Sequence, residues 1–319
     1  MKTITQWLMT VVVMAVAASC RNADDKIQFP SYPVIDVHAH AFARTPEQVH
    51  AWLKHMDDNN IERVIVMTGS HGARFDELYD LYTSISDRFD VWCGVDMTGW
   101  GTPDFPASAI RELERCWRKG AKGVGELSDR GLGDRISRQV AVPGLHFNDE
   151  LFVPIFSKCA ELGLTVNCHI GEPCESEHWK SQISVSDTLC QYDLVRTMEE
   201  TCAKNPNTKF IACHFMNIYH DYDFLSGLLD RNPNLYLDNS GRFIETSRTP
   251  SATRQFYRKY SDRILFGTDD TPSDEMYDQL WTILESKTEN GLGLNKHILE
   301  KMYRGNALKL IEGSSLPQN

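Results

Sequence analysis

Beyond residue 33 the chain repeats one pattern. A short run of β-branched and apolar residues is followed by a longer stretch with apolar positions at helical spacing, and the pair then starts again. The apolar runs predict strands over 34–40, 61–67, 91–97, 122–127, 164–170, 209–215, 235–241 and 264–269. The periodic stretches predict helices near 46–59, 74–88, 107–119, 149–162, 193–204, 221–231, 252–262 and 274–286, with a last helix from His297 to Ile311. Consecutive strand–helix units imply an α/β fold with parallel strands, and eight of them close into a (β/α)8 TIM barrel. No low-complexity tract or change of composition interrupts residues 34–319, which therefore read as one barrel domain.

Two connections are longer than the rest, 128–148 after the fourth strand and 171–192 after the fifth. Both leave strand C-termini, the face on which such barrels carry their active sites, and loops of this length form walls or lids. They bring Arg130, Arg135, His146, Glu172, His178, Trp179 and Lys180 forward as substrate-wall candidates, each with the alternative of a solvated loop residue.

The polar residues at strand ends carry the chemistry. In Val34-Ile35-Asp36-Val37-His38-Ala39-His40 the alternation of a strand puts both histidines on one face, inward, with Val37 and Ala39 outward. Two imidazoles aimed at one point suit zinc or a similar divalent ion. The same rim gains Glu126 from strand four, His169 from strand five, His214 from strand six and Asp269 from strand eight. One histidine on an apolar strand is ordinarily a hydrogen-bonded core residue, but a set at one rim points to a site. Arg242, behind strand seven, could grip a carboxylate or a sugar oxygen, or pair with Glu245 and merely fix its loop. Glu172, Asp36 and Asp270 are candidate acceptors for the N–H of a ligand imidazole.

Ahead of the barrel, Lys2 and the apolar stretch Trp7 to Ala18 form a signal-type segment too short to span a bilayer. Ala17-Ala18-Ser19-Cys20 is similar to a bacterial lipobox. The expectation is a lipoprotein-type signal peptide over 1–19, a lipidated Cys20 and a tether over 20–33, with a plain signal peptide as the alternative. The protein would then be an exported periplasmic or outer-membrane lipoprotein, touching membrane only through its anchor. A net charge of −11 argues against a nucleic-acid partner. Of the eight cysteines after Cys20, only Cys174 and Cys190 flank a loop where a disulfide could form; the others fall where cysteine serves as a small buried hydrophobe.

Several segments together resemble the amidohydrolase superfamily, specifically its amidohydrolase-2 branch related to aminocarboxymuconate-semialdehyde decarboxylase. They are DVHAH at 36–40, LGLTVNCH at 162–169, FIACH at 210–214, NLYLD at 234–238, RILFGTD at 263–269 and GNAL at 305–308. The resemblance implies one divalent metal, usually zinc, held by His38, His40, His169 and Asp269, with a water at the open position. It makes Asp269 the acceptor of that water's proton and His214 the histidine that orients water or stabilises an oxyanion. Glu126 is open to two readings. As a bridge it would add a second metal, the arrangement of some amidohydrolases and of TatD-like deoxyribonucleases; as a substrate contact or metal-side acid it leaves one, the favoured count. Lys122 begins strand four, so a bridging lysine carbamate is not expected.

The expected activity is metal-dependent hydrolysis of a small carbonyl compound at an amide, lactone or ester-like bond. The alternatives are lyase chemistry, as non-oxidative decarboxylation of an unsaturated or aromatic acid, then TatD-like nuclease activity, which the acidic balance opposes. A barrel that binds without catalysing is the non-enzymatic alternative.

Overall fold

The computed structural model describes residues 30–130, 145–173, 189, 191–289 and 291–311. Its strands are β1 (Val34–His40), β2 (Ile61–Met67), β3 (Phe89–Trp92), β4 (Gly123–Ser128), β5 (Thr165–His169), β6 (Phe210–Ala212), β7 (Leu235–Asp238) and β8 (Ile264–Leu265). They form parallel ladders in the order β1-β2-β3 and β4-β5-β6-β7-β8. Backbone bonds cross both seams between the two sheets. At one, the Cys93 and Gly125 amides donate to the Gly123 and Cys93 carbonyls at 3.0 and 2.9 Å. At the other, Val37 donates to Phe266 at 2.9 Å and Asp269 to His38 at 2.8 Å. The eight strands thus follow one another around a ring, as the alternating pattern predicts.

Helices cover the ring because each buries one stripe. In α1 (Pro46–Asp58), Val49, Trp52 and Met56 face inward at helical spacing, Pro46 opens the first turn, and the Thr45 hydroxyl accepts from the Gln48 amide. The outer layer continues with α2 (Gly72–Thr83), α3 (Phe105–Lys119), α4 (Val153–Glu161), α5 (Gln191–Lys204), α6 (Tyr222–Arg231), α7 (Phe243–Ser247), α8 (Pro250–Lys259) and α9 (Asp274–Glu285). The last predicted helix is interrupted: α10 (Lys296–Glu300) passes through a wide turn into α11 (Asn306–Ile311). Leu310 and Ile311 of α11 join Ile35, Val37, Ile65, Met67, Trp92, Ile211 and Leu265 in a separate inner cluster.

That cluster corrects the expected facing of β1. Val37 packs with Ile35 inside, whereas Ala39 packs in the outer layer, because the pairing with β2 slips between Asp36 and Ala39 and changes the face. Several strands are also shorter than predicted at their C-terminal ends. Cys93 contributes a single bridge to Val124, and β6 stops at Ala212 because the next residues turn left-handed. Regular pairing ends where polar side chains peel away to build the rim.

The expected signal peptide, Cys20 and most of the tether lie outside the described residues, as do Cys174 and Cys190. Among the described residues no helix is long and apolar enough to cross a membrane. Cys93, Cys116, Cys159, Cys168, Cys202 and Cys213 are buried and unbridged, as expected of small hydrophobes.

Candidate metal centre

Three imidazoles at the rim are oriented by the same device. His38 has its Nδ1 2.9 Å from Asp238 Oδ2, His214 has its Nδ1 2.9 Å from the Ser240 carbonyl, and His40 has its Nδ1 3.4 Å from the Met67 carbonyl. An oxygen acceptor at Nδ1 fixes the proton there and turns the Nε2 lone pair the other way. All three Nε2 atoms face Asp269, at 3.5 Å from His38, 3.1 Å from His40 and 3.6 Å from His214. Burial works against the charge of Asp269, but the three imidazoles around it hold its carboxyl far below the usual range.

The donor set fits a divalent ion. Ligand atoms of His38, His40 and Asp269 lie within 4.8 Å of one another. His38 is fully buried, and its Nε2 has no hydrogen-bond partner among the described residues. An unsatisfied buried nitrogen is costly unless something fills its lone pair, and neutral imidazoles with a carboxylate are ligands that zinc, manganese and similar ions accept.

Glu126 occupies the middle of the set. It is 4 % exposed, and its carboxylate lies 3.9 Å from His38 Nε2, 3.6 Å from His40 Nε2 and 3.8 Å from His214 Nε2. Oε1 is also 2.9 Å from His169 Nδ1. His169 stands one carboxylate away from the His38–His40–Asp269 group, since its Nε2 is engaged at 2.6 Å by Glu172. Glu172 therefore meets an imidazole nitrogen. Burial opposes its charge, but His169 and, beyond it, Arg130 and Arg242 keep its carboxyl low.

The other candidates divide. Asp36 does not reach an imidazole: its Oδ1 accepts from the His38 and Thr268 amides, both at 3.0 Å, and Oδ2 from the Thr268 hydroxyl at 2.6 Å. It clamps β1 to the chain beyond β8, and burial pushes its carboxyl up to about 6. Asp270 is exposed and accepts from the Thr271 amide instead. Arg242 holds the Asn217 side chain and the Gly241 carbonyl, not Glu245. His146 pairs with buried Asp129 at 3.0 Å. His178, Trp179, Arg135 and Lys180 lie outside the described residues.

Sequence reasoning missed the role of Asp238. Fully buried at the end of β7, it holds the His38 ring through Oδ2 and the His214 and Ser240 amides through Oδ1, at 3.0 and 3.1 Å. The signal was there: an acid closing the apolar run Leu235-Tyr236-Leu237, the same criterion that selected Asp269.

The backbone between β6 and β7 pays for this placement. His214, Phe215, Met216 and Asn217 all have φ between 51° and 57°, four consecutive non-glycine residues in the left-handed region. The turn is held by the Asp238 bond to the His214 amide and by the Asn217 side chain, which donates to the Ile170 carbonyl at 3.3 Å. Gly171, at φ 90°, fits against it because a Cβ there would lie 1.9 Å from the Met216 carbonyl oxygen.

Residues 35–312 match the family model described as Amidohydrolase. No curated protein matches the chain. Among solved structures, a dihydroxybenzoic acid decarboxylase from Polaromonas sp. JS666, with bound manganese and the inhibitor 2-nitroresorcinol, is 18% identical, with 89% of this chain and 98% of that one covered at a TM-score of 0.59. A 5-carboxyvanillate decarboxylase from Sphingomonas paucimobilis is 14% identical, covering 88% and 99% at 0.56. A 4-oxalomesaconate hydratase from Rhodopseudomonas palustris is 16% identical, covering 88% and 96% at 0.58. At these identities the likeness is one of fold.

Proposed function

The chain belongs to the amidohydrolase family, and from that premise we propose that it is a metal-dependent hydrolase of a small carbonyl compound, cleaving an amide, lactone or ester-like bond. The observation that carries this reading is the convergence of the His38, His40 and His214 Nε2 atoms on Asp269, each ring locked from behind. His38, His40 and Asp269 would hold the ion, zinc by resemblance, with His169 as the expected fourth ligand. When bound, a divalent ion supplies Lewis acidity, which lowers the pKa of water and polarises a carbonyl oxygen.

The remaining work falls to side chains. Asp269, kept ionised by its neighbours, can accept a proton from an attacking water with the oxygen it turns toward His214. His214 keeps its Nδ1–H on the Ser240 carbonyl, so its Nε2 lone pair can take up the proton that Asp269 receives and, once protonated, pass it to a leaving group or donate to a developing oxyanion. Glu126, buried among the four imidazoles, balances the positive charge that they and an ion bring.

Decarboxylation of an unsaturated or aromatic acid is the second reading, supported by the decarboxylase activity of two of the solved relatives. It would use the same His214 and Asp269 to deliver a proton to carbon. A product-resolved panel of lactones, amides and aromatic acids, run with metal counting, tests both. Ring-opened or cleaved products without CO2 support hydrolysis; CO2 release from the acids alone overturns it in favour of the lyase.

A further inference from the structure

A pocket of about 390 Å³ opens beside the centre, with His40 as part of its wall. Arg44 comes from the β1–α1 connection, and His71 and Arg74 come from the start of α2. Met67 and Leu78 provide an apolar side. Among the described residues no acidic side chain lines it, although Asp96 lies 3.6 Å from His71 Nε2 and the chain carries 44 acidic residues against 33 basic ones. Two guanidinium groups around one cavity in a protein of net charge −11 are a local inversion of sign.

The arginines are available for a ligand. The Arg44 guanidinium makes no hydrogen bond or ion pair among the described residues; only its amide is engaged, by Gln48. Arg74 gives one nitrogen to Glu77, at 2.9 Å on the same helix and outside the pocket lining. The first amide of α2 is already taken, since Gly72 donates to Glu112 at 2.7 Å, so side chains rather than the helix end would hold an anion here. The floor is fixed. Gly69 adopts φ 56°, Gly94 packs so closely that a Cβ would lie 2.5 Å from the Gly69 carbonyl, and the Gly94 amide donates to Ser70 at 2.7 Å.

We propose that this pocket binds a carboxylate that the substrate carries away from its reacting carbon. Arg44 and Arg74 grip the carboxylate, whose planar pair of oxygens matches a guanidinium fork. A short hydrocarbon stem lies on Met67 and Leu78 and leads past His40 to the centre. The proposal rests on the enzymatic reading above for which end reacts, while the binding of the anion stands without it. It defines the substrate class as small carbonyl compounds bearing a remote carboxylate.

Calorimetric titration of the purified protein with glutarate and with its neutral diamide, glutaramide, tests this, with bound metal measured on the same samples. Glutarate is expected to bind, glutaramide about tenfold or more weaker, and the Arg44→Gln/Arg74→Gln protein to lose about tenfold or more of the glutarate affinity. Exposed Arg118, changed to Gln, serves as the comparison and should leave affinity unchanged. Unaltered thermal unfolding and metal content of the double variant show that its fold is intact. Equal glutarate affinity in the wild-type protein and an intact double variant overturns the proposal, as does equal binding of glutaramide. Displacement of glutarate by an equal concentration of inorganic phosphate overturns the carboxylate assignment. Arginine-dependent glutarate binding without bound metal sinks the enzymatic reading and leaves the pocket; metal binding without arginine dependence does the reverse.

Discussion

Asp238 holds His38 from behind, Oδ2 to Nδ1 at 2.9 Å, and both side chains are fully buried. Because the same carboxylate also takes the His214 amide, the ring that would bind metal and the ring that would move protons share one anchor. Burial is opposed by His38 and His214, and the carboxyl rests at about 2, ionised at any working pH.

Replacing that anchor should therefore damage both functions. Asp238→Ala is expected to weaken metal binding by about 10–100-fold, the usual cost of losing an outer partner of a ligand histidine. Competition with a chromogenic chelator measures it. Metal affinity equal to wild type would show that the ring does not need its anchor.

The roles of the histidines separate by metal content. His38→Ala and His40→Ala should purify without metal, whereas His214→Ala should keep the ion and lose activity by about a hundredfold or more. His169→Ala is expected to lose the ion as well. Retained metal there, with loss in Glu126→Gln, would make Glu126 the ligand that His169 only supports.

Removing the ion should lower the melting temperature of the wild-type protein, because a ligand bound only to the native state stabilises it. Chelator should leave His38→Ala almost unmoved. Equal shifts in both proteins would place the stabilising ion elsewhere.

Gly171→Ala should destabilise the protein by roughly 1–3 kcal/mol, since the residue sits at φ 90° and its Cβ would meet the Met216 carbonyl oxygen. Urea unfolding reads the loss. Gly267→Ala acts on the metal side instead, because a Cβ there would lie 2.5 Å from the His38 Cβ, and metal affinity is its readout.

Glu112 gives a pH dependence remote from the centre. It is partly buried, and Arg115, the Gly72 amide and Cys116 outweigh that burial and hold its carboxyl down at about 2 against an ordinary 4.5. Between those values the unfolded chain binds a proton that the native protein does not, so the contribution is full above pH 4.5 and is lost as pH falls toward 2. At this part-exposed position it amounts to about 1 kcal/mol after screening. Unfolding at pH 6 and pH 3 should show Glu112→Gln less pH-sensitive than wild type by roughly half that amount, since the loss is complete only near pH 2; identical slopes would discount the pair.

The ring and most of its rim were legible in the chain because both depend on period and position. Strands alternate with helices, and an acid or imidazole at the end of an apolar run marks a rim residue, which is how His38, His40, Glu126, His169, His214 and Asp269 could be read together. What the sequence concealed were features set by backbone irregularity. The slip in β1 that turns Val37 inward, the early end of β6 and the grip of Asp238 on His38 depend on contacts between distant strands, and alternation alone cannot report them. The Arg44–Arg74 pocket was hidden for a related reason: one cation comes from the β1–α1 connection and the other from the first turn of α2, and they share a cavity only once β1 and β2 are side by side.

The left-handed run at His214–Asn217 sets a condition on timing. Each such residue is disfavoured by roughly 1–2 kcal/mol, so the turn has no independent existence as a peptide and forms only when β5, β7 and Gly171 are already in place around it. A chain with an incomplete ring can carry the right histidines and still present no reactive Nε2 at the rim. Completion of the barrel is in this sense what sets the His214 ring at the rim.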